Sequence, residues 1–328
     1  GEPRNAAGML GILAGAVATA VAVGLAATGW NRHLSRRIER RFPPAGGFVE
    51  VGGRRLHYLD RGAGAPLVLV HGANGSLGDW LPGMVERLER EFRVIAFDRP
   101  GHGYSDGLGR LPPTPAAQAA LLADATAALG VERPILVGFS LGAALVAAWA
   151  LARPRDVAAC VMLAGALHDW PTPTARIYDL PALPLLGPLA VQCLSMSLGH
   201  LLAPRWARGV FAPDPVPASF AAVPALLAAR PKSFLANAAE RRLIKRFLAE
   251  QGQRYPALEP PVVLLVGDSD QVVSPRIHSG QLHQAVPGSI LTVLPGAGHM
   301  LPFSHPEACL AAIRQAAGLA RARHRLEA

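Results

Sequence analysis

An α/β fold on a mostly parallel sheet is what this sequence predicts, on three observations. Short apolar runs alternate with helix-forming stretches over residues 48–166, and again over 261–328. The strand Ile135 to Val137 runs directly into Gly138-Phe139-Ser140-Leu141-Gly142, and a helix-forming stretch, Ala143 to Leu151, follows. The alternation breaks once, over residues 167–260, where Pro and Leu dominate. Strands that alternate with helices form parallel sheets through right-handed crossovers, with helices on both faces.

The chain has 328 residues, 51% of them hydrophobic and 17% charged, enough for one large domain with an insertion. The net charge is +9, and Lys232 and Lys245 are the only lysines. The Arg residues are scattered apart from two terminal clusters, so they form no basic, aromatic-interleaved face and no nucleic-acid partner is expected. Cys160, Cys193 and Cys309 show no Cys-x-x-Cys spacing and are odd in number. That argues against a disulfide framework and a zinc site. No dinucleotide fingerprint or ligand cluster stands out, so neither a metal nor an organic cofactor is expected.

The first element, residues 1–31, reads as a transmembrane anchor. Asn5 to Asn31 carries no charge, and Met9 to Trp30 is almost wholly Ala, Gly, Val, Leu and Ile. That is long enough for a bilayer core, which takes about 20 residues. Trp30 ends the run where an interfacial aromatic belongs, and Arg32, Arg36, Arg37, Arg40 and Arg41 follow. The positive-inside rule then places the following domain in the cytoplasm. The competing reading is export after cleavage of a signal peptide, against which stand a weak charged n-region and a long apolar run.

Residues 32–47 read as a basic helix and linker, stopped by Pro43-Pro44 and Gly46-Gly47. Phe48 to Asp60 alternates around Gly52-Gly53, the pattern of a β-hairpin. Leu67 to Val70 is a buried strand, followed by a loop and a helix through about Glu91. Arg93 to Phe97 is a strand, then a loop Asp98 to Pro115 and a helix to about Leu129. After Ile135 to Val137 and its helix comes the strand Val157 to Leu163. Residues 167–260 read as a helical cap. Leu180 to Pro204 has no Asp, Glu, Lys or Arg, and Pro181, Pro184, Pro188 and Pro204 argue against a second membrane span. The strands Val262 to Val266 and Ile290 to Leu294 close the pattern, followed by helices over Pro275 to Ala285 and Pro306 to Arg321.

The chemistry points to acyl transfer, which needs a nucleophile, a base, an orienter and an oxyanion hole. Ser140 sits where a tight strand-to-helix turn would lift its hydroxyl off the sheet, at a helix N-terminus that favours negative charge. His299, in Gly296-Ala297-Gly298-His299 after the last strand, is the candidate base, ahead of His305, His278 and His283, which read as helix-start or helix-surface residues. Asp270, in Gly267-Asp268-Ser269-Asp270, is the candidate orienter, with Asp268 and Asp169 as rivals. The oxyanion donors would be the backbone N–H of Leu141 and one from His71-Gly72-Ala73-Asn74-Gly75, Ala73 first and Asn74 as the alternative.

These motifs resemble the α/β-hydrolase superfamily in its esterase, C–C hydrolase and cofactor-free haloperoxidase neighbourhood. His71-Gly72 matches its oxyanion loop, Asp98-Arg99-Pro100-Gly101-His102-Gly103 the loop after its fourth strand, and Gly138 to Gly142 its nucleophile elbow. Gly267-x-x-Asp270 matches the acid strand and Gly298-His299 the terminal histidine. The resemblance covers about residues 48–320. It implies an eight-stranded sheet with a cap, mainly structural roles for Asp98 and His102, and a serine nucleophile rather than the aspartate of haloalkane dehalogenases and epoxide hydrolases. The expected activity is hydrolysis of a lipophilic carboxylic ester through an acyl-Ser140 intermediate. Alternatives are the same groups acting on a C–C, thioester or lactone bond or in perhydrolysis, and a non-catalytic binding protein on this fold.

Overall fold

The computed structural model describes residues 2–171 and 176–327. Its eight strands are β1 (Gly47–Val51), β2 (Arg54–Arg61), β3 (Ala65–Val70), β4 (Phe92–Phe97), β5 (Ile135–Phe139), β6 (Ala159–Leu163), β7 (Val262–Gly267) and β8 (Ile290–Leu294). They form one sheet in the order β1-β2-β4-β3-β5-β6-β7-β8. β2 is antiparallel to both neighbours, and β3 through β8 run parallel. The β1–β2 hairpin turns at Gly52 and Gly53, both at positive φ, as a tight two-residue turn requires.

The central strands are apolar at nearly every position because both faces are covered. Val68, Val70 and Leu136 point to one layer, with the helices α2 (Pro115–Ala128) and α3 (Leu141–Ala152). Leu67, Leu69 and Val137 point to the other, with Trp80 and the C-terminal helix α6. That helix, Pro306–Glu327, is longer than the sequence pattern suggests. The chain winds one way from β3 to β4 and the other way to β5. Such a reversal opens a crevice at the C-terminal ends of the strands, where ligands collect in open α/β sheets.

Two segments differ from expectation. The stretch after β3 is not one helix: it is a short turn at Leu77–Asp79 and then wide turns, because Pro82 and Gly83 leave helical geometry. The N-terminal apolar stretch and the basic stretch are one unbroken helix, α1 (Glu2–Arg41), rather than an anchor and a separate linker helix. Met9–Arg41 is long and apolar enough to cross a membrane.

Between β6 and β7 lie two long helices, α4 (Leu186–Phe211) and α5 (Pro231–Gly252), joined by short turns. α4 is also long and apolar enough for a span, but Val191, Met196, Ala207 and Phe211 are buried in the fold. α4 holds α1. Asn31 is fully buried, and its side chain accepts from Met196 N at 2.8 Å and donates to Ser195 Oγ at 3.4 Å. Thr28 Oγ1 lies 3.3 Å from Cys193 Sγ, and Arg230 reaches Glu39 at 2.8 Å.

α5 is tied to the core by charge. Arg99, on the loop after β4, meets Glu240 at 2.6 Å with both side chains buried. Burial alone would raise the Glu240 carboxyl, but attraction and hydrogen bonding from Arg99 outweigh it and hold it below the usual carboxylate range. Removing one partner of such a pair strands a buried charge and costs about 3–5 kcal/mol. The Glu240→Gln variant is expected to lose stability in that range in chemical unfolding. A loss below about 0.5 kcal/mol, typical of a surface change, would show that the pair does not hold α5 to the core.

Candidate active site

Ser140 follows β5 and immediately precedes α3. Its backbone, at φ 51° and ψ −118°, is in a region that side chains rarely adopt. The turn closes this tightly only because its flanking residues lack side chains. A Cβ on Gly138 would come within 2.6 Å of the Ala143 backbone, and one on Gly142 would strike the Val70 and His71 carbonyls. The strained peptide is pinned on both sides. Ser140 N donates to Leu163 O at 2.9 Å, and Ser140 O accepts from Ala166 N at 3.0 Å.

His299 lies on the loop after β8 with Nε2 3.1 Å from Ser140 Oγ. Its Nδ1 lies 2.7 Å from Asp270 Oδ2, on the loop after β7. The other oxygen of Asp270 accepts from Val272 N and Val273 N, each at 2.8 Å. An acceptor-only carboxylate held this way fixes the tautomer: Nδ1 donates to Asp270, and Nε2 is left to accept from the serine hydroxyl. The structure thus joins Ser140, His299 and Asp270 in one hydrogen-bonded chain.

The rivals lie elsewhere. Asp268 accepts from Gly296 N and Ser269 Oγ, and Asp169 accepts from Trp170 N and faces Lys245 at 3.7 Å. His305 and His283 bond Ser304 and Ser289. His278 is not a helix-surface residue. It is buried and accepts from Leu167 N and His168 N, and desolvation lowers its pKa to about 4, so it stays neutral.

The loop after β3 comes against the elbow: a side chain on Gly72 would lie 3.1 Å from Ser140 Cβ. His71 holds this loop, its Nε2 accepting from Arg99 N at 2.9 Å and its Nδ1 donating to Gly72 O at 2.8 Å. Burial, with Arg99 and His102 nearby, keeps the ring well below the usual histidine range and therefore neutral. Ala73 lines the same cavity as Ser140 and His299. Leu141 opens α3, where its N–H has no intrahelical acceptor. The Asn74 N–H, the alternative donor, is committed to Asn237 Oδ1 at 3.0 Å.

A family model described as the alpha/beta hydrolase family matches residues 67–312. An uncharacterised protein of Mycobacterium tuberculosis is 30% identical over 278 residues, covering 80% of this chain and 77% of its own. A pimeloyl-[acyl-carrier protein] methyl ester esterase of Pectobacterium atrosepticum is 29% identical over 269 residues, covering 77% of this chain and 94% of its own. Among solved structures, that of a bacterial membrane phospholipase A superposes with a TM-score of 0.62 at 23% identity, covering 97% of this chain and 99% of its own. At that identity the likeness speaks to the fold.

Several site residues are invisible to motif reading. Asp214, just after α4, accepts from Gly298 N at 2.9 Å and so steadies the His299 loop. Asn237 and Glu240 come from α5, far away in sequence. Asp79 caps the turn after β3, accepting from Ser76 N, and borders the cavity beside Ser140. Burial pushes its carboxyl up to about 8. The folded protein thus keeps a proton that the unfolded chain loses near 4, so this group weakens folding progressively as pH rises from about 4 to about 8. The Asp79→Asn variant, which cannot ionise, is expected to lose less Tm than the wild type between pH 5 and pH 8. Superimposable Tm profiles would refute the assignment of a neutral Asp79.

Proposed function

The chain belongs to the alpha/beta hydrolase family, and on that premise we propose a serine hydrolase that cleaves a lipophilic carboxylic ester through an acyl-enzyme on Ser140. The observation that carries this reading is the hydrogen-bonded chain from Ser140 through His299 to Asp270.

His299 Nε2 takes the Ser140 proton as Oγ attacks the ester carbonyl. Asp270 holds the ring and stabilises the imidazolium that forms. The negative oxygen of the tetrahedral intermediate accepts from the Leu141 and Ala73 N–H groups; one such donor is worth about 3 kcal/mol. The imidazolium returns its proton to the departing alkoxide, leaving acyl-Ser140 and an alcohol. Water then gives its proton to His299 as it attacks the acyl carbonyl, and the imidazolium passes that proton to the departing Ser140 Oγ, releasing a carboxylic acid and free Ser140. The apolar lining beside Ser140, Trp206, Val210, Phe220 and Met300 among it, supports a lipophilic substrate.

In the same reading α1 is a single-pass anchor, and Arg32 to Arg41 place the catalytic domain on the cytoplasmic side. The burial of Asn31 against α4 supports retention over cleavage, because removing the helix would open that contact.

Ser140→Ala is expected to abolish fluorophosphonate labelling and to lower p-nitrophenyl butyrate hydrolysis at least ~10³-fold. Asp270→Asn, which keeps the shape and changes the tautomer, is expected to lower kcat by about 10³–10⁴-fold. Wild-type turnover in Ser140→Ala would overturn the reading.

A further inference from the structure

The cavity at Ser140 is small, 60 Å³. That is roughly two water volumes, enough for an ester carbonyl and little of its chains. A second cavity of 350 Å³ is lined mostly by the segment between β6 and β7. Asn74, Trp206 and Ala225 belong to the walls of both, so the two meet at these residues.

The larger cavity has an apolar body. One face of α4, from Val191 through Leu194 and Leu198 to Leu202, forms one wall. Ala228, Ala229 and Phe234 also line it. Arg205, which also belongs to the lining, is exposed. Leu194 and Leu202 are exposed as well, at 47% and 42%, so the wall reaches the surface. Cys193, Ser195 and Met196 of the same helix contact α1 between Gly24 and Asn31, the last turns of its apolar stretch. The outer end of the cavity therefore lies beside the base of the apolar helix.

The geometry points to the larger cavity as the site that holds the acyl chain of a long-chain ester, with the carbonyl at Ser140 and the hydrocarbon running past Trp206 along α4. This rests on the serine-hydrolase reading for the position of the carbonyl. The volume is that of roughly a dozen waters, which suits a chain on the order of ten carbons. Among the described residues, those named for the apolar body carry no charge to pair a charged chain, whereas each methylene that enters it is taken out of water. The cavity therefore discriminates by length.

Two measurements on the full chain reconstituted in phosphatidylcholine vesicles test this. In the first, the kcat/KM ratio for p-nitrophenyl decanoate over acetate is compared between wild type and Leu198→Trp, with Ala228→Phe as a second plug. The ratio is expected to fall at least tenfold in either plugged variant that folds, and an unchanged ratio in both overturns the proposal. The second needs no turnover: a ten-carbon fatty acid with a terminal diazirine is photolysed with the Ser140→Ala protein. Label is expected on residues 198–206 and 225–234, displaced by excess decanoic acid and reduced at least tenfold by Leu198→Trp. Label confined to other surfaces, or unaffected by the plug, overturns the proposal. Specific labelling with no Ser140-dependent hydrolysis keeps the chain site and refutes the hydrolase reading instead.

Discussion

The guanidinium of Arg99 is fully buried, and much of the site is arranged around satisfying it. A lone charge there would cost several kcal/mol. It is met by Glu240 from α5, Gln118 from α2 and the Gly72 carbonyl. Its backbone N–H goes to His71. One residue thus joins the loop after β3, a helix of the core and a helix of the segment above it. The neutrality of His71 and His102 follows from the same centre, because desolvation and then the Arg99 charge push both rings down, His102 to about 4. A protonated ring at either place would add a second buried cation.

That arrangement makes the strained elbow useful. Ser140 is held at positive φ by hydrogen bonds on both sides of its peptide, so its hydroxyl position is set by the sheet rather than by a mobile loop. The groups that meet it come from three other strand ends: His71 to Ala73 after β3, Asp270 after β7 and His299 after β8. The segment between β6 and β7 locks two of them. Asp214 bonds the loop of His299, and Asn237 bonds Asn74. The cap is therefore part of the frame of the site as well as its cover.

What was legible in the sequence follows from which constraints are local. A strand that runs into Gly-x-Ser-x-Gly states its own geometry, because only glycine tolerates the contacts at 138 and 142. The parallel strands announce themselves by being apolar on both faces. The helix expected after β3 failed at Pro82 and Gly83, where local breakers prevail over apolar content. Position His278 failed for a different reason. Its burial depends on where Leu167 and His168 pass, about 110 residues away in the chain, and no local pattern carries that. The same holds for Glu240 and Asp214, whose partners are decided by how the insertion folds back.

The N-terminal helix shows how far such non-local constraints reach. Residues 9–23 are exposed, whereas Asn31, Leu34 and Ile38 are buried on one face, spaced as a helix requires. Two of those residues pack with Met196 and Leu227, on the helix and turn that wall the larger cavity. Glu39 and Phe42 continue the attachment to Arg230 and Tyr104. A helix free to pivot on a flexible linker would leave the orientation of the domain open. Bonded along several turns to α4, it fixes that orientation instead, and it places the outer end of the apolar cavity beside its own apolar stretch. The helix and the cavity share a wall because the same face of the insertion serves both.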